Sequence, residues 1–197
     1  QLEDKKFYDL HREDICESIQ TILDSPLKGL KVLDVGCGWG QTLLHFQSKG
    51  MDCYGFDPAD GAIEYGKKQG LKNVVKAGLD TMNVFNQQFD VVTLFNVLEH
   101  LAEPAKVIEE IRTDVLKSGG LIIVDVPNEF NSLQVAGKEL HELSEWWVTP
   151  PAHLNYFNKD TLCNLLAGKG YKTKLAESSF PLEMFLLFGR NYVQDRA

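Results

Sequence analysis

Three glycines at alternate positions follow a short apolar run in the first quarter of the chain. Gly36, Gly38 and Gly40 come directly after Val32 to Val35, and an apolar helical pattern follows them. Glycine adopts positive φ readily and carries no Cβ, so the backbone of such a strand-to-helix turn can lie close to a ligand. The fingerprint of dinucleotide-binding turns would place its third glycine at position 41, which is Gln41. The spacing therefore predicts either a ligand-binding turn of another kind or a tight turn without a ligand.

A carboxylate stands one predicted strand further along. The run Cys53 to Phe56 ends in Asp57 and Pro58, about 20 residues after the glycines. An acid at the carboxyl end of the second strand is placed to accept hydrogen bonds from the hydroxyl groups of a ribose. Together with the glycine turn, Asp57 predicts the binding of a nucleoside-containing cofactor. The alternative is an aspartate that only starts a turn before proline.

The segments Leu33–Gly40, Gly55–Pro58 and Phe89–Val92 resemble the first three signatures of the class I S-adenosylmethionine-dependent methyltransferases, of the small-molecule, bacterial-like type. The resemblance covers residues 30 to 126 well and the remainder more loosely. It implies S-adenosylmethionine as the cofactor. It also implies cofactor contacts from a set of residues at the predicted strand ends: Asp34, Gly36, Cys37, Gly38, Gly40, Asp57, Pro58, Leu79, Asp80, Asn96 and Val97.

Two further cofactor contacts implied by the resemblance lie before the first strand. Residues 7 to 24 form a predicted helix, and in related methyltransferases such a helix closes over the cofactor. Tyr8 and Arg12 lie in its first turns, and the alternative for them is a solvated helix face. Asp80 likewise has an alternative, because an aspartate can cap the short helix that follows it.

The alternation of apolar strands with helical segments predicts a parallel sheet with helices on both faces. The last two predicted strands have only a short connection, which favours an antiparallel hairpin. Together with the resemblance, this predicts a Rossmann-like, doubly wound α/β sheet of seven strands, in the order 3-2-1-4-5-7-6 with strand 7 antiparallel. The last three strands are predicted at these positions: Leu121 to Val126, Tyr171 to Glu177 and Met184 to Phe188.

The length of 197 residues suits one methyltransferase domain, residues 1–197. Within it we expect an N-terminal helical cap at 1–28 and an insertion at 127–157. This insertion breaks the rhythm of strands and helices, and its aromatic residues predict a lid over a pocket. The alternative is a loop held in place by Trp146 and Trp147. Because the chain begins at Gln1, we expect it to be a piece of a longer protein.

Composition excludes several classes of partner. The net charge is −8, without a basic stripe, which argues against a nucleic-acid acceptor. No apolar run approaches 18 residues, so no membrane span is predicted. The four cysteines form no C-x-x-C pair and are typical of reduced thiols in a cytoplasmic protein. No cluster of carboxylates and histidines is apparent, so no metal is expected, and the oligomeric state stays open.

The candidates for removing a proton from a methyl acceptor are His153, His100 and Glu99. His100 and Glu99 follow the fourth predicted strand, and the tract from His153 to Phe157 resembles the H-x-N-x-F segment of small-molecule members of the family. Histidine titrates near neutral pH, which suits a base. Either histidine could instead hold a backbone carbonyl.

We therefore expect transfer of a methyl group to a small polar acceptor, by O-methylation of a sugar, a nucleotide-linked intermediate or a related metabolite. One alternative is an NAD-dependent oxidoreductase on a Rossmann fold, which Gln41 and the terminal hairpin disfavour. The other is a module that binds the cofactor without catalysis or that methylates a protein partner.

Overall fold

The computed structural model describes residues 2–194, with the side chains of residues 2–7 left aside. The chain divides into two compact units. The first, the sheet unit, contains the residues up to Val97 together with Lys106–Asp125. The second unit contains Leu98–Ala105 and the residues from Val126 onward.

Five strands and seven α-helices make up the regular structure of the described residues. The strands are β1 (Lys31–Val35), β2 (Asp52–Asp57), β3 (Asn73–Lys76), β4 (Phe89–Phe95) and β5 (Leu116–Asp125). The helices are α1 (Leu2–Leu23), α2 (Gln41–Ser48), α3 (Asp60–Lys68), α4 (Pro104–Glu110), α5 (Ser132–His141), α6 (Lys159–Gly168) and α7 (Glu183–Leu187). Short 3₁₀ turns lie at Leu79–Thr81 and Leu98–His100, and a π-helical turn at Ile111–Val115 continues α4.

The five strands form one parallel sheet in the order β3-β2-β1-β4-β5. Val32 of β1 lies beside Cys53 of β2 on one side and Val91 of β4 on the other. Because neighbouring parallel strands end at the same edge of a sheet, the segments after β1, β2, β3 and β4 share the carboxyl edge. This edge therefore carries residues 36–40, 57–58, 79–80 and 96–97.

The core of the sheet unit forms where helices α1 and α2 pack on the strands. Ile19 of α1, Phe46 of α2 and Val32 of β1 are all fully buried in one hydrophobic cluster. In the centre of β4, Val91 to Leu94 have no exposed surface. A strand buried on both faces needs no alternation of polar and apolar residues, which explains why β4 shows no clean alternation in the sequence.

The structure confirms the parallel α/β sheet but not the two additional strands. Among the described residues, no strand lies at 171–177, and Met184–Phe188 falls on helix α7 and its C-cap. Residues 172–180 are all exposed, so an alternating pattern there has no buried face to make a strand favourable. A short continuous apolar run does not distinguish a strand from a helix.

Helix α7 is held by a close contact with helix α5 inside the second unit. Leu186 of α7 is fully buried, and a Cβ added to Gly137 of α5 would lie only 2.9 Å from its side chain. The Nε2 atom of His141 also lies 2.7 Å from the carbonyl oxygen of Leu186. Burial of one helical face against α5 thus decides the conformation of this run.

The stretch 127–157 contains a helix and is not a structureless loop. Helix α5 begins after Asn131, whose side chain accepts hydrogen bonds from two backbone amides in a capping box with Gln134. Trp147 is buried and packs edge-to-face with Trp146 and Phe130. The tryptophans therefore pack within their own unit, and a lid function of 127–157 stays a prediction.

Two glycines lie inside a strand. Helix α4 ends at Glu110 and β5 begins at Leu116, so Gly119 and Gly120 belong to β5. A Cβ on Gly120 would lie 2.9 Å from the carbonyl oxygen of Asp90, so this glycine permits close approach of β5 to β4.

No helix among residues 2–194 has both the length and the apolar character that crossing a bilayer requires.

Candidate functional site

The backbone amides of the glycine turn are largely used within the sheet unit itself. Gly36 and Cys37 both donate to the carbonyl oxygen of Phe56, at 2.9 and 3.0 Å, and Gly40 donates to the carbonyl oxygen of Cys37 at 2.9 Å. The sequence had suggested that these amides bind a ligand directly. In the structure the amides of Gly36 and Cys37 join the turn to β2, and the amide of Gly40 closes the turn on itself.

The three positions of the turn require glycine for different structural reasons. A Cβ on Gly36 would lie 2.8 Å from the Val97 side chain, and a Cβ on Gly40 would collide with the side chain of Leu71. A Cβ on Gly38, in contrast, meets nothing within 4 Å, and its φ is +51°. Gly36 and Gly40 therefore permit packing, while Gly38 borders open space at the carboxyl edge.

Asp57 is fixed beside this open space by two backbone donors. Its Oδ2 atom accepts from the amide of Gly38 at 2.9 Å, and its Oδ1 atom accepts from the amide of Ala59 at 2.8 Å. Each carboxylate oxygen has a second acceptor position, so the oriented side chain can still bind two hydroxyl groups. Pro58, next to it, is exposed.

Asp34 lies below the glycine turn and is only 3% exposed. The Thr93 hydroxyl donates to its Oδ1 atom at 2.7 Å from neighbouring strand β4. Burial raises the pKa of Asp34 to about 7; the Thr93 hydrogen bond opposes this rise and the charge of Asp57 adds to it. Burial likewise raises the pKa of the Cys37 thiol well above its usual range. Both side chains are thus positioned to support the turn from inside.

The remaining residues predicted at strand ends also lie at the carboxyl edge. Asn96 follows β4 with a φ of +54°, an uncommon conformation outside glycine, and its amide donates to the carbonyl oxygen of Asp125 at 2.9 Å. Val97 is buried under Gly36. Leu79 and Asp80 begin the 3₁₀ turn that follows edge strand β3, and Asp80 is exposed there.

Arg12 connects helix α1 to the end of the glycine turn. Its guanidinium donates to the side-chain oxygen of Gln41 at 3.2 Å and to Asp9 at 3.1 Å, and it lies over the ring of Tyr8. Because Gln41 directly follows Gly40, these contacts bring Arg12 to the N-terminus of α2. The structure thus places Arg12 close to the turn, and a cofactor contact from Arg12 stays a prediction.

Glu99, His100 and His153 form a cluster inside the second unit. The Oε1 atom of Glu99 lies 3.7 Å from Nε2 of His100, and the two imidazole rings stand edge-to-face with centroids 5.1 Å apart. The Nδ1 atom of His100 lies 2.6 Å from the carbonyl oxygen of Ala152. His100 therefore does hold a backbone carbonyl, which leaves only its Nε2 atom for other chemistry.

Backbone hydrogen bonds join the two segments that carry this cluster. The carbonyl oxygen of Glu99 accepts from the amides of Leu154 and Asn155, at 2.7 and 3.0 Å. The side-chain amide of Asn155 donates in turn to the carbonyl oxygens of Leu98 and Leu101. Asn155, the central residue of the H-x-N-x-F tract, thus holds the turn that carries Glu99. The H-x-N-x-F tract contains Asn155, but the sequence alone does not indicate this structural role.

Glu129 is a fourth member of the cluster that sequence reasoning missed. Its Oε1 atom lies 3.3 Å from Nδ1 of His153. Burial raises the pKa of Glu129; the contact with His153 opposes the rise and the nearby charge of Glu99 adds to it. No local pattern links Glu129 to His153, since 24 positions separate them and the second unit alone brings them together.

A sequence family described as a methyltransferase domain matches residues 8–175, most of the chain. The chain belongs to the class I S-adenosylmethionine-dependent methyltransferases. S-adenosylmethionine is the cofactor of this family. The structure fits it at the carboxyl edge, where the space over Gly38 is free of side chains and the carboxylate of Asp57 has unused acceptor positions.

The curated relatives of this methyltransferase include ubiquinone biosynthesis O-methyltransferases. The ubiquinone biosynthesis O-methyltransferase of Ruegeria sp. is 33% identical over 110 residues, covering 53% of this chain and 44% of the relative. The enzyme of the same name from Maricaulis maris is 28% identical over 155 residues, covering 69% of this chain and 61% of the relative. The chain spans about half the length of the curated relatives it matches.

Solved methyltransferase structures share the fold. The plantazolicin methyltransferase BpumL, in complex with SAH, superimposes with a TM-score of 0.65 at 18% identity, over 97% of this chain and 80% of that one. A methyltransferase from Mesorhizobium loti gives a TM-score of 0.63 at 15% identity, over 91% and 92% of the two chains. At these identities the likeness concerns the fold alone.

Proposed function

We propose that this methyltransferase transfers a methyl group from S-adenosylmethionine to a hydroxyl group of a small acceptor. The observation that carries the proposal is the pairing of open space over Gly38 with the oriented carboxylate of Asp57. Family membership favours S-adenosylmethionine over NAD as the cofactor. The name of the curated relatives favours oxygen as the atom methylated.

Asp57 and Gly38 are the residues we assign to the nucleoside part of the cofactor. Asp57 accepts hydrogen bonds from the ribose hydroxyls, and the missing side chain at Gly38 allows close approach. When bound, the cofactor supplies a methyl group on a positively charged sulfur that departs uncharged. The task left to the protein is alignment and exclusion of water, and alignment contributes about 7–11 kcal/mol in well-oriented reactions.

The further cofactor contacts of this proposal lie around the same edge. The exposed side chain of Asn96 and the backbone of Val97 serve the amino-acid part of the cofactor, and Leu79 and Asp80 serve the adenine. Arg12, held at the N-terminus of α2 by Gln41, contributes from helix α1 together with Tyr8. Asp34 and Cys37 act indirectly, because both are buried beneath the turn.

The acceptor hydroxyl must lose a proton, and His153, His100 and Glu99 are the groups we assign to this step. A general base contributes about 10²–10⁴-fold in rate. With Nδ1 of His100 at the carbonyl oxygen of Ala152, its base atom is Nε2. The name of the curated relatives supports a hydroxyl acceptor but gives no support to a sugar or a nucleotide.

Asp57→Asn should weaken the binding of S-adenosylhomocysteine about 10- to 100-fold, as expected when a charged acceptor is lost. The asparagine keeps one oxygen but turns an NH₂ group toward the amide of Gly38 or Ala59. The measurement is isothermal titration calorimetry. Asp52→Asn is the matched control, because Asp52 lies at the opposite end of β2 and accepts a hydrogen bond from the Tyr54 hydroxyl. The Asp52→Asn variant should bind S-adenosylhomocysteine with the affinity of the wild type. Equal weakening by both substitutions would contradict the assignment.

The proposed reaction is tested with isotopically labelled methyl donor and separate pools of phenols, sugars, nucleotides and proteins. We expect label to enter a hydroxyl group of one small-molecule pool, in a form stable to amine-specific chemistry. Label in the protein pool would replace the small acceptor by a protein partner. Cofactor binding without transfer to any pool would make the chain a binding module and overturn the proposed enzyme activity.

A further inference from the structure

Two buried carboxylates of the second unit have an oxygen without a hydrogen bond. Glu99 is 1% exposed and Glu129 is 4% exposed. Within the described part of the chain, the Oε2 atom of each has no hydrogen-bond partner. A buried carboxylate is costly unless it is paired with a positive charge or fully hydrogen-bonded. The cluster can therefore accept a compensating positive charge.

The distances in the cluster suit a single cation. One ligand atom from each of Glu99, His100 and His153 lies within 4.8 Å of the other two. Oε1 of Glu99 and Nε2 of His100 are separated by 3.7 Å. Ligand atoms at about 2.1 Å from a tetrahedral Zn²⁺ stand about 3.4 Å apart. Side-chain rotations that shorten these separations by up to about 1.4 Å would bring the three ligand atoms to tetrahedral spacing.

The outer contacts of the two histidines are those of metal ligands. The second nitrogen of a ligating histidine is usually bonded to a backbone carbonyl or a carboxylate, which fixes the tautomer and the orientation of the ring. Nδ1 of His100 faces the carbonyl oxygen of Ala152, and Nδ1 of His153 faces the carboxylate of Glu129. In both residues this arrangement leaves Nε2 as the ligand atom.

We propose that Glu99, His100 and His153 bind one divalent cation of the zinc class, with Glu129 as the residue that orients His153. Two imidazoles and one carboxylate form a ligand set of catalytic zinc sites, which keep a further coordination position open. Mg²⁺ is disfavoured because it prefers oxygen ligands. The sequence analysis, in contrast, predicted no metal, because about 50 positions separate His100 from His153 and only folding brings them together.

The cation also deepens the proposed function. A hydroxyl group bound at the open position would have a lowered pKa, so the acceptor would lose its proton without a strong base. Glu99 and the two histidines would then act as ligands of the cation. Solvent would accept the proton of the acceptor hydroxyl in their place. This role rests on the proposed methyl transfer to oxygen, whereas cation binding by the second unit stands independently of it.

The test is calorimetric titration of the whole chain with Zn²⁺ after removal of metals by a chelator, in the absence of cofactor and acceptor. We expect one equivalent to bind. Glu99→Gln and His100→Asn should each weaken binding at least about 100-fold, and Glu129→Gln about 10- to 100-fold. His141→Asn is the matched control, because His141 lies in the same unit with its Nε2 atom at a backbone carbonyl. It should bind Zn²⁺ like the wild type.

Thermal unfolding followed by circular dichroism establishes that each variant is folded. If Glu99→Gln does not fold, His100→Asn alone tests the cation site. Failure of the wild type to bind one equivalent, or Zn²⁺ affinities of folded Glu99→Gln and His100→Asn equal to that of the wild type, overturns the cation site. The proposed function is assessed separately. Cofactor binding and methyl transfer without Zn²⁺ binding would refute only the cation site, and Zn²⁺ binding without methyl transfer would refute only the enzyme activity.

Discussion

Gly38→Ala should weaken the binding of S-adenosylhomocysteine about 10- to 100-fold, the effect of forcing an extra methyl group into a filled contact. In the chain alone, the added Cβ meets no atom within 4 Å. Among the described residues, apart from its two chain neighbours, the added methyl group meets no protein atom, so a ligand in the open space beside Asp57 is what it would displace. Calorimetric titration of the purified variant measures this loss directly.

Gly29→Ala provides the matched control. Gly29 also has a positive φ, +85°, and a Cβ there also meets nothing within 4 Å. Both substitutions force alanine into the left-handed region at a cost of about 1–2 kcal/mol, so both should lower the free energy of unfolding by similar amounts. Gly29 lies before β1, at the amino end of the sheet, and its substitution should leave the affinity unchanged. If Gly38→Ala bound S-adenosylhomocysteine with the affinity of the wild type, the placement of the cofactor in this space would be wrong.

The comparison separates a ligand-binding glycine from a packing glycine, which the sequence pattern alone does not do. Gly36 and Gly40 belong to the same motif, but a side chain at either position would collide with Val97 or Leu71 of the protein itself. Loss of binding in variants at these two positions would therefore follow from a distorted turn. Only Gly38 combines membership of the motif with free space around it.

The presence of the first five strands was predictable because each one carries its own local signal, and their order followed from the resemblance to the methyltransferase family. Apolar runs, glycines at turns and Asp57 at a strand end all act within a few residues of one another. The C-terminal region lacked such signals. Helix α7 is stabilised by burial of Leu186 against Gly137, about 50 residues earlier, and no window of sequence contains that contact.

The residues of the candidate site likewise differ in how well the sequence predicts them. Residues at strand ends were found from sequence because a parallel sheet brings its carboxyl ends together by rule. The contact between Glu129 and His153 obeys no such rule, since it depends on how the segment that contains Asn155 returns to the turn at Leu98. The sequence does not indicate which carboxylate is buried, because it contains many acidic residues, more than basic ones.

Asp34→Asn should abolish a loss of stability that the wild type undergoes as the pH rises. The carboxyl group has a pKa of about 7 in the folded protein and about 4 in the unfolded chain. Between these values the folded state keeps a proton that the unfolded state releases, so the free energy of unfolding falls with increasing pH. From about pH 5 to about pH 8 the wild type should lose about 3 kcal/mol more than the variant does. Urea denaturation at a series of pH values measures the difference.

Asparagine is an informative substitution because it mimics the protonated carboxyl group. Its side-chain oxygen still accepts the hydrogen bond from Thr93, so the packing beneath the turn should survive. Thr93→Val should act in the opposite direction: it removes the hydrogen bond that favours the ionised carboxylate, so the pKa of Asp34 rises further and the loss of stability extends to higher pH. If Asp34→Asn keeps the wild-type pH dependence, the carboxylate of Asp34 is already ionised at low pH. Its burial would then be compensated by a contact other than the one with Thr93.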